Sequence, residues 1–433
     1  MAETSINGSP KKPWVMNAFA MTAPGHLAPG LWRHPAQEKQ TLSHWVNLAK
    51  FLDDNGFHAL FFADVLGIYD VYKASDGPAL KSAAQVPILD ISLLVSAMAH
   101  ATKNISFGIT ASTTYENPYA LARRFATLDH ITDGRVGFNI VTSYLHSAAM
   151  SFGLEKAVEH DERYAIADEF MEVFYKLLEG SWQADAVVGD KATGIWTDPS
   201  KVRKINHVGK YFRCAGPSLV DPQDTRTILR ELGRPEDSIK FIAGIFIVVD
   251  ETDERAQAKF NDMLQYADLE GTAALFGGWS GTDLSTFSDD EDFKFAGAPA
   301  IQSMINSWTE TVPGTKDTKW TKKLVLQHLA ISGAHERAIG SPTTVANILQ
   351  KWVDEAQIDG FNISYATTPG TFEDIVKYLW PELRKRGVLQ ERYAGSSMRE
   401  NYLADGGGPK VRSWHPASRY TWQAQAQSTA VSL

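Results

Sequence analysis

Between residues 14 and 180, short apolar runs alternate with amphipathic stretches, and this alternation limits the fold more than any other feature of the chain. The runs are "WVMNAFA" (14–20), "ALFFAD" (59–64), "ISFGITAS" (105–112) and "RVGFNIVTS" (135–143). Each has the length and the β-branched and aromatic content of a buried strand. The stretches between them read as helices. Residues 41–55 put Trp45, Leu48, Ala49 and Leu52 on one face. "DISLLVSAMAHAT" opens on Asp90, a good N-cap, and "PYALARRFATLDHIT" carries Pro118 in its first turn. A further helix runs from Asp161, itself a plausible N-cap, to a stop at Gly180. Strand–helix repetition of this kind builds parallel βα units. Four units with no glycine-rich nucleotide turn favour a barrel over a doubly wound sheet, although an open α/β sheet gives the same alternation.

The second half is less regular. "IKFIAGIFIVV" (239–249) is a buried strand followed by a helix, "PTTVANILQKWVDEAQ" is a helix, and "GFNISYA" (360–366) is the last strand before a final helix. "TRTILRELG" reads as a short helix and "GGWSG" (277–281) as loop. The whole chain, 1–433, reads as one domain carrying excursions at 181–216 and 270–327 and an extended tail over 390–433. The strand count is six, or seven if "LAISGA" (329–334) is included, whereas a closed barrel of this type has eight.

Composition narrows the partners. Net charge is −9 with acids and bases interspersed, which disfavours a phosphate-backbone partner. No run approaches the ~18 apolar residues of a membrane span, and "MAETSINGSPKKPW" has no apolar signal core. Cys214 is the single cysteine, so neither an internal disulfide nor a cysteine-based zinc site is expected, and a reducing, cytoplasmic location follows. Zinc, Walker, GxSxG and GxGxxG signatures are absent, so no metal is expected and redox chemistry would need another cofactor or a reductant from outside.

The apolar runs end in polar groups. Asp64 closes the second, Thr110, Ser112 and Thr113 the third, and Thr142, Ser143 and Tyr144 the fourth, which also carries Asn139 in its middle. A buried polar group costs about 1–3 kcal/mol unless something bonds it, so these groups need partners or a ligand. In an α/β barrel the C-terminal strand ends carry function. "EHDERY" (159–164) sets His160 and Tyr164 on one face where a helix begins, a place that favours an anion. A plain cap explains the acids there but not the His/Tyr pair.

At these residues the chain resembles the bacterial-luciferase-like, flavin-dependent monooxygenases, in the branch of the long-chain alkane, dimethyl sulfide and nitrilotriacetate enzymes. The resemblance rests on "NAFAMTAPGHLAPGLWRHP", "FFADVLGIYDVY", "ASTTYENPYALARRFATLDHITDGRVGFNIVTSYLHSAA", "EHDERYAIADEFMEVFYKLLEGSW" and "DGFNISYATTPGTFEDIVKYLWPELRKRG", in that order. It implies a TIM-type (β/α)8 barrel that takes reduced FMN, delivered by a separate NAD(P)H:flavin reductase, and inserts one atom of O2 into a small, fairly apolar substrate such as an alkane, an organosulfur compound or a secondary metabolite. It implies contacts to the flavin from Asp64, Thr110, Ser112, Asn139, Ser143, His160 and Tyr164. His26, Tyr69, Gln85 and Tyr144 match the reaction pocket, where the branch has His at the position of Tyr144 and Cys at that of Ala23. The excursion at 270–327 is the implied lid, and the family suggests a homodimer or homotetramer. Two alternatives on the same scaffold are a deazaflavin-dependent oxidoreductase and an inactive relative. The family pattern breaks after "GPSLVDPQ" (216–223). The strand ending in the Gln-Ala-Gly-x-Ser phosphate turn, the following helix and the next strand are missing. About one and a half βα units, strands five and six, are therefore absent, and weak flavin binding is expected.

Overall fold

The computed structural model describes residues 12–221, 239–289, 291–293, 305–306, 309 and 317–424. Its centre is a seven-stranded, wholly parallel sheet. The strands are β1 (Val15–Ala20), β2 (Ala59–Phe62), β3 (Ser106–Ser112), β4 (Val136–Val141), β5 (Ile242–Val249), β6 (Glu336–Gly340) and β7 (Gly360–Ser364). Their spatial order is β6-β5-β7-β1-β2-β3-β4. Thus β5 pairs with β7 through its first half and with β6 through its second, an order that departs from the sequence.

The helices form where their caps dictate. Thr41, Asp90 and Asn117 each accept a backbone N–H at the start of α1 (Leu42–Asp54), α2 (Ile91–His100) and α3 (Pro118–Thr132). α4 (His160–Gly180) starts one residue earlier than its acidic first turn suggests. Its N-cap is Glu159, which makes no side-chain cap bond, and Asp161 instead accepts from His160 Nδ1 at 2.8 Å. Thr252 caps α5 (Asp253–Leu264) and Asp268 caps α6 (Leu269–Ser280). α7 (Lys322–Leu329) and α8 (Pro342–Ala356) follow.

Three sequence expectations are corrected. "GGWSG" is not loop but the last turn of α6, closed by Gly281 in the left-handed region at φ 69°. "LAISGA" is the end of α7 and a turn, and the strand begins just beyond it at Glu336. β4 is an edge strand with Ile140 44% exposed, so its apolar run is not core-bound throughout. The segment "TRTILRELG" lies outside the described residues.

The two faces of the sheet differ. One packs Ala18, Leu60, Phe62, Phe107, Ile109, Phe361 and Ile363 against the helices in the main core. The other carries Asn17, Phe19, Phe61, Thr110, Asn139 and Asn362, paired in register. Asn17 donates to Asn362 Oδ1 at 2.8 Å, and Tyr402 donates to Asn17 Oδ1. Tyr402 belongs to a short C-terminal helix, α9 (Met398–Leu403). Met398 lies against Gly137 of β4 so closely that a Cβ there would meet its sulfur at 2.5 Å. α9 therefore fills this face near the strands' N-terminal ends, which the tail reading missed.

Beyond the C-terminal strand ends, a second apolar cluster joins Tyr69, Tyr72, Ala79 and Leu145 to Ala273–Phe276 of α6 and Val325, Leu326 and Leu329 of α7. The 181–216 excursion contains two small hairpins, Val187–Asp190 with Ile195–Thr197 and His207–Val208 with Arg213–Cys214. Among the described residues, no helix is long and apolar enough to cross a membrane.

Candidate active site

The polar ends of β2, β3 and β4 converge. A cavity of about 410 Å³ is bounded by Asp64, Gln85, Thr110, Ser112 and Ser143 together with Leu89, Ile109 and Phe125. The polar groups in the apolar strand find local partners here. Asn139 donates to Thr110 Oγ1 at 2.8 Å, and Thr110 passes its own proton to the Phe62 carbonyl at 2.7 Å. Ser143 donates to Ser112 Oγ at 2.8 Å, and Ser112 Oγ also receives the amides of Thr114 and Tyr115. Ser143 itself stands at φ 52°, a left-handed conformation uncommon for serine. Arg163, in the first turn of α4, donates to its carbonyl.

Asp64 has its pKa pushed up to about 7, mainly by burial and further by the charges of Asp90 and Glu116, against the lowering pull of the Val65 amide. Near neutral pH it can therefore either accept or donate a hydrogen bond.

Beside this cavity stands a chain of buried polar groups. Gln85 donates from Nε2 to the His26 carbonyl at 2.8 Å and accepts Tyr69 Oη–H at 2.7 Å. Tyr69 Oη also meets Tyr144 Oη at 3.2 Å and the Trp279 indole N–H at 3.2 Å. Gly278 makes this packing possible, since a Cβ there would fall 1.8 Å from the Tyr69 ring. The His26 ring is 2% exposed, and neither of its nitrogens has a hydrogen-bond partner. It packs edge-on against Phe19, with centroids 4.7 Å apart, and beside Tyr365 at 5.6 Å. Burial, assisted by nearby His335, lowers its pKa to about 3, so the imidazole is neutral. His335 packs on the same Phe19 ring at 5.5 Å and meets Ser364 Oγ at 3.1 Å.

His160 and Tyr164 lie together, with ring centroids 5.0 Å apart, at the exposed start of α4. They do not line the cavity; Arg163 of the same turn connects them to it through Ser143. Of the residues singled out from sequence, Asp64, Gln85, Thr110, Ser112 and Ser143 thus bound one space, Asn139 supports it, and His26, Tyr69 and Tyr144 join it through Gln85. Sequence reasoning missed Trp279, His335 and Arg163.

A family model described as luciferase-like monooxygenase matches residues 19–228. The dimethyl-sulfide monooxygenase of Hyphomicrobium sulfonivorans is 40% identical over 455 positions, covering 95% of this chain and 94% of that protein. The chain belongs to the luciferase-like monooxygenases. The crystal structure of DmoA from Hyphomicrobium sulfonivorans superposes with a TM-score of 0.87 at 39% identity, over 95% of this chain and 96% of that one. The long-chain alkane monooxygenase of Geobacillus thermodenitrificans is 40% identical across 94% of this chain and 97% of its own length. A riboflavin lyase structure, described with modified FMN and riboflavin, superposes at a TM-score of 0.81 with 28% identity, over 95% of this chain and all 100% of that one. As a luciferase-like monooxygenase the chain is an oxidoreductase. The polar cavity lies where this α/β fold places its chemistry, at the C-terminal ends of the parallel strands.

Proposed function

We propose that this protein is the oxygenase component of a two-component system, receiving reduced FMN from a separate NAD(P)H:flavin reductase and placing one oxygen atom of O2 on a small substrate with an apolar body. The observation that carries the reading is the shared cavity of Asp64, Thr110, Ser112 and Ser143, whose Gln85 holds the backbone carbonyl of His26, a residue with an unpartnered buried imidazole. This donor set fits a flavin ring, whose edge offers both donors and acceptors. Reduced FMN, when bound, supplies the electrons that activate O2.

Asp64, Thr110, Ser112 and Ser143 orient the ring, and Asn139 fixes Thr110 from behind. His160 and Tyr164 serve the phosphate side at the N-terminus of α4. Neutral His26 can donate a hydrogen bond from one ring nitrogen and accept one at the other, where no protein group competes. Tyr69, Gln85 and Tyr144 border the substrate, and the cluster built on α6 and α7 acts as the lid that excludes water.

β1 to β4, β5 and β7 are read as six strands of a (β/α)8 barrel, with β6 as an addition on the outer edge of β5, and one and a half units, barrel strands five and six, as lost between β4 and β5. The match to the dimethyl-sulfide enzyme runs over 455 positions, more than the 433 residues of the chain, which supports the deletion. A soluble homo-oligomer in the cytoplasm completes the proposal.

Anaerobic titration with FMNH2, followed by coupled assay with a flavin reductase, NADH, O2 and a dialkyl sulfide or alkane, tests it. Binding weaker than micromolar with substrate-dependent oxygenation is expected. Submicromolar binding overturns the expectation of weak flavin binding, and NADH consumption that yields only H2O2 with every substrate favours the inactive relative.

A further inference from the structure

Counting protons along the buried chain has a consequence for the substrate. The His26 carbonyl can only accept, so Gln85 must turn its NH2 toward it and its Oε1 toward Tyr69. Oε1 also can only accept, so the single Tyr69 proton goes there, over the shorter of its two contacts, 2.7 Å against 3.2 Å. Tyr69 oxygen then receives the Trp279 N–H and has one lone pair left for Tyr144. Tyr144 can satisfy that contact only by giving its own proton. Its oxygen is left as a pure acceptor on a side chain that is 45% exposed beside Ser143, whereas Tyr69 behind it is 1% exposed.

We infer that Tyr144 is a specificity-determining residue that selects substrates bearing a hydroxyl or N–H donor on an otherwise apolar body. This rests on the monooxygenase reading above and deepens it. A bare hydrocarbon or a simple dialkyl sulfide leaves the Tyr144 oxygen without a partner, and an ether or ester oxygen set against it meets lone pair with lone pair.

Three probes separate these cases: 2-(ethylthio)ethanol, its isostere ethyl propyl sulfide, and the methyl ether of the alcohol, 2-(ethylthio)ethyl methyl ether, which is larger by the methyl that caps the hydroxyl. Calorimetric titration of the full chain with FMN present should rank the alcohol about tenfold tighter than the propyl compound, as one hydrogen bond provides. The ether should bind weakest. In Tyr144→Phe the advantage of the alcohol should fall to about nothing. Tyr69→Phe should free the Tyr144 proton and raise the affinity of the ether above its wild-type value. Thermal unfolding of both variants checks that the fold is kept. The inference is overturned if alcohol and propyl probes bind alike in the wild type, if no probe binds, or if the preference survives in Tyr144→Phe. Failure of FMN to bind would instead sink the monooxygenase reading, and the probe ranking is then read on the flavin-free chain.

Discussion

His26→Leu should make the protein more stable while it abolishes oxygenation. The histidine is buried with a ring donor and a ring acceptor that meet no protein partner. Each unmade bond costs about 1–3 kcal/mol, and a leucine of similar volume on Phe19 removes both at a repacking cost of about 1–1.5 kcal/mol. The net gain at pH 7.5 is about 0.5–5 kcal/mol. The gain should widen in acid. The folded pKa of about 3 lies below the ordinary 6.5, so the unfolded chain takes up the proton first. The stability linked to neutral His26 is complete above pH 6.5 and is lost as pH falls toward 3. About two pH units below the ordinary value, near pH 4.5, that loss is roughly 3 kcal/mol in the wild type and zero in the variant. Urea unfolding of both proteins at pH 7.5 and 4.5 reads the difference directly. A variant less stable than wild type at pH 7.5, or a gap that does not grow in acid, would refute the claim that His26 is an unsatisfied neutral imidazole held for a ligand.

Two further perturbations probe the cavity and its cover. Asp64→Asn should remove a pH dependence of FMN affinity centred near 7, measured by fluorescence titration; because burial raises the Asp64 pKa, its stability contribution is complete below the unfolded value and declines as pH rises toward 7, and the variant should lack that decline as well. Gly278→Ala should drive a methyl into the Tyr69 ring, cost about 1–3 kcal/mol in urea unfolding and break the Tyr69–Trp279 contact, seen as a shift in tryptophan emission.

What the chain disclosed in advance was local. Thr41, Asp90 and Asn117 cap their helices through bonds two or three residues away, so their signals lie within a few letters. The polar rim was legible because Asp64, Thr110, Ser112 and Ser143 each end an apolar run. What remained hidden depends on distant partners. Gly277 and Gly278 look like loop until Tyr69 and Tyr72 are laid against them from 200 residues away, as the 210-residue separation of the Trp279–Tyr69 bond shows. Ile140 has the same letter as a core isoleucine, and only the strand order makes β4 an edge. Nothing in "HERAIG" says that β6 will lie outside β5 rather than beside β7.

The position of α9 bears on biosynthesis. Met398 and Tyr402 leave the ribosome late, yet they press on Gly137 and Asn17, made much earlier. A nascent chain must therefore hold an unfinished floor under its strands until translation is nearly over. Chains interrupted after about residue 390 would keep α1 to α8 and still present the amides of Asn17 and Asn362 to water, which marks them for chaperones or proteases.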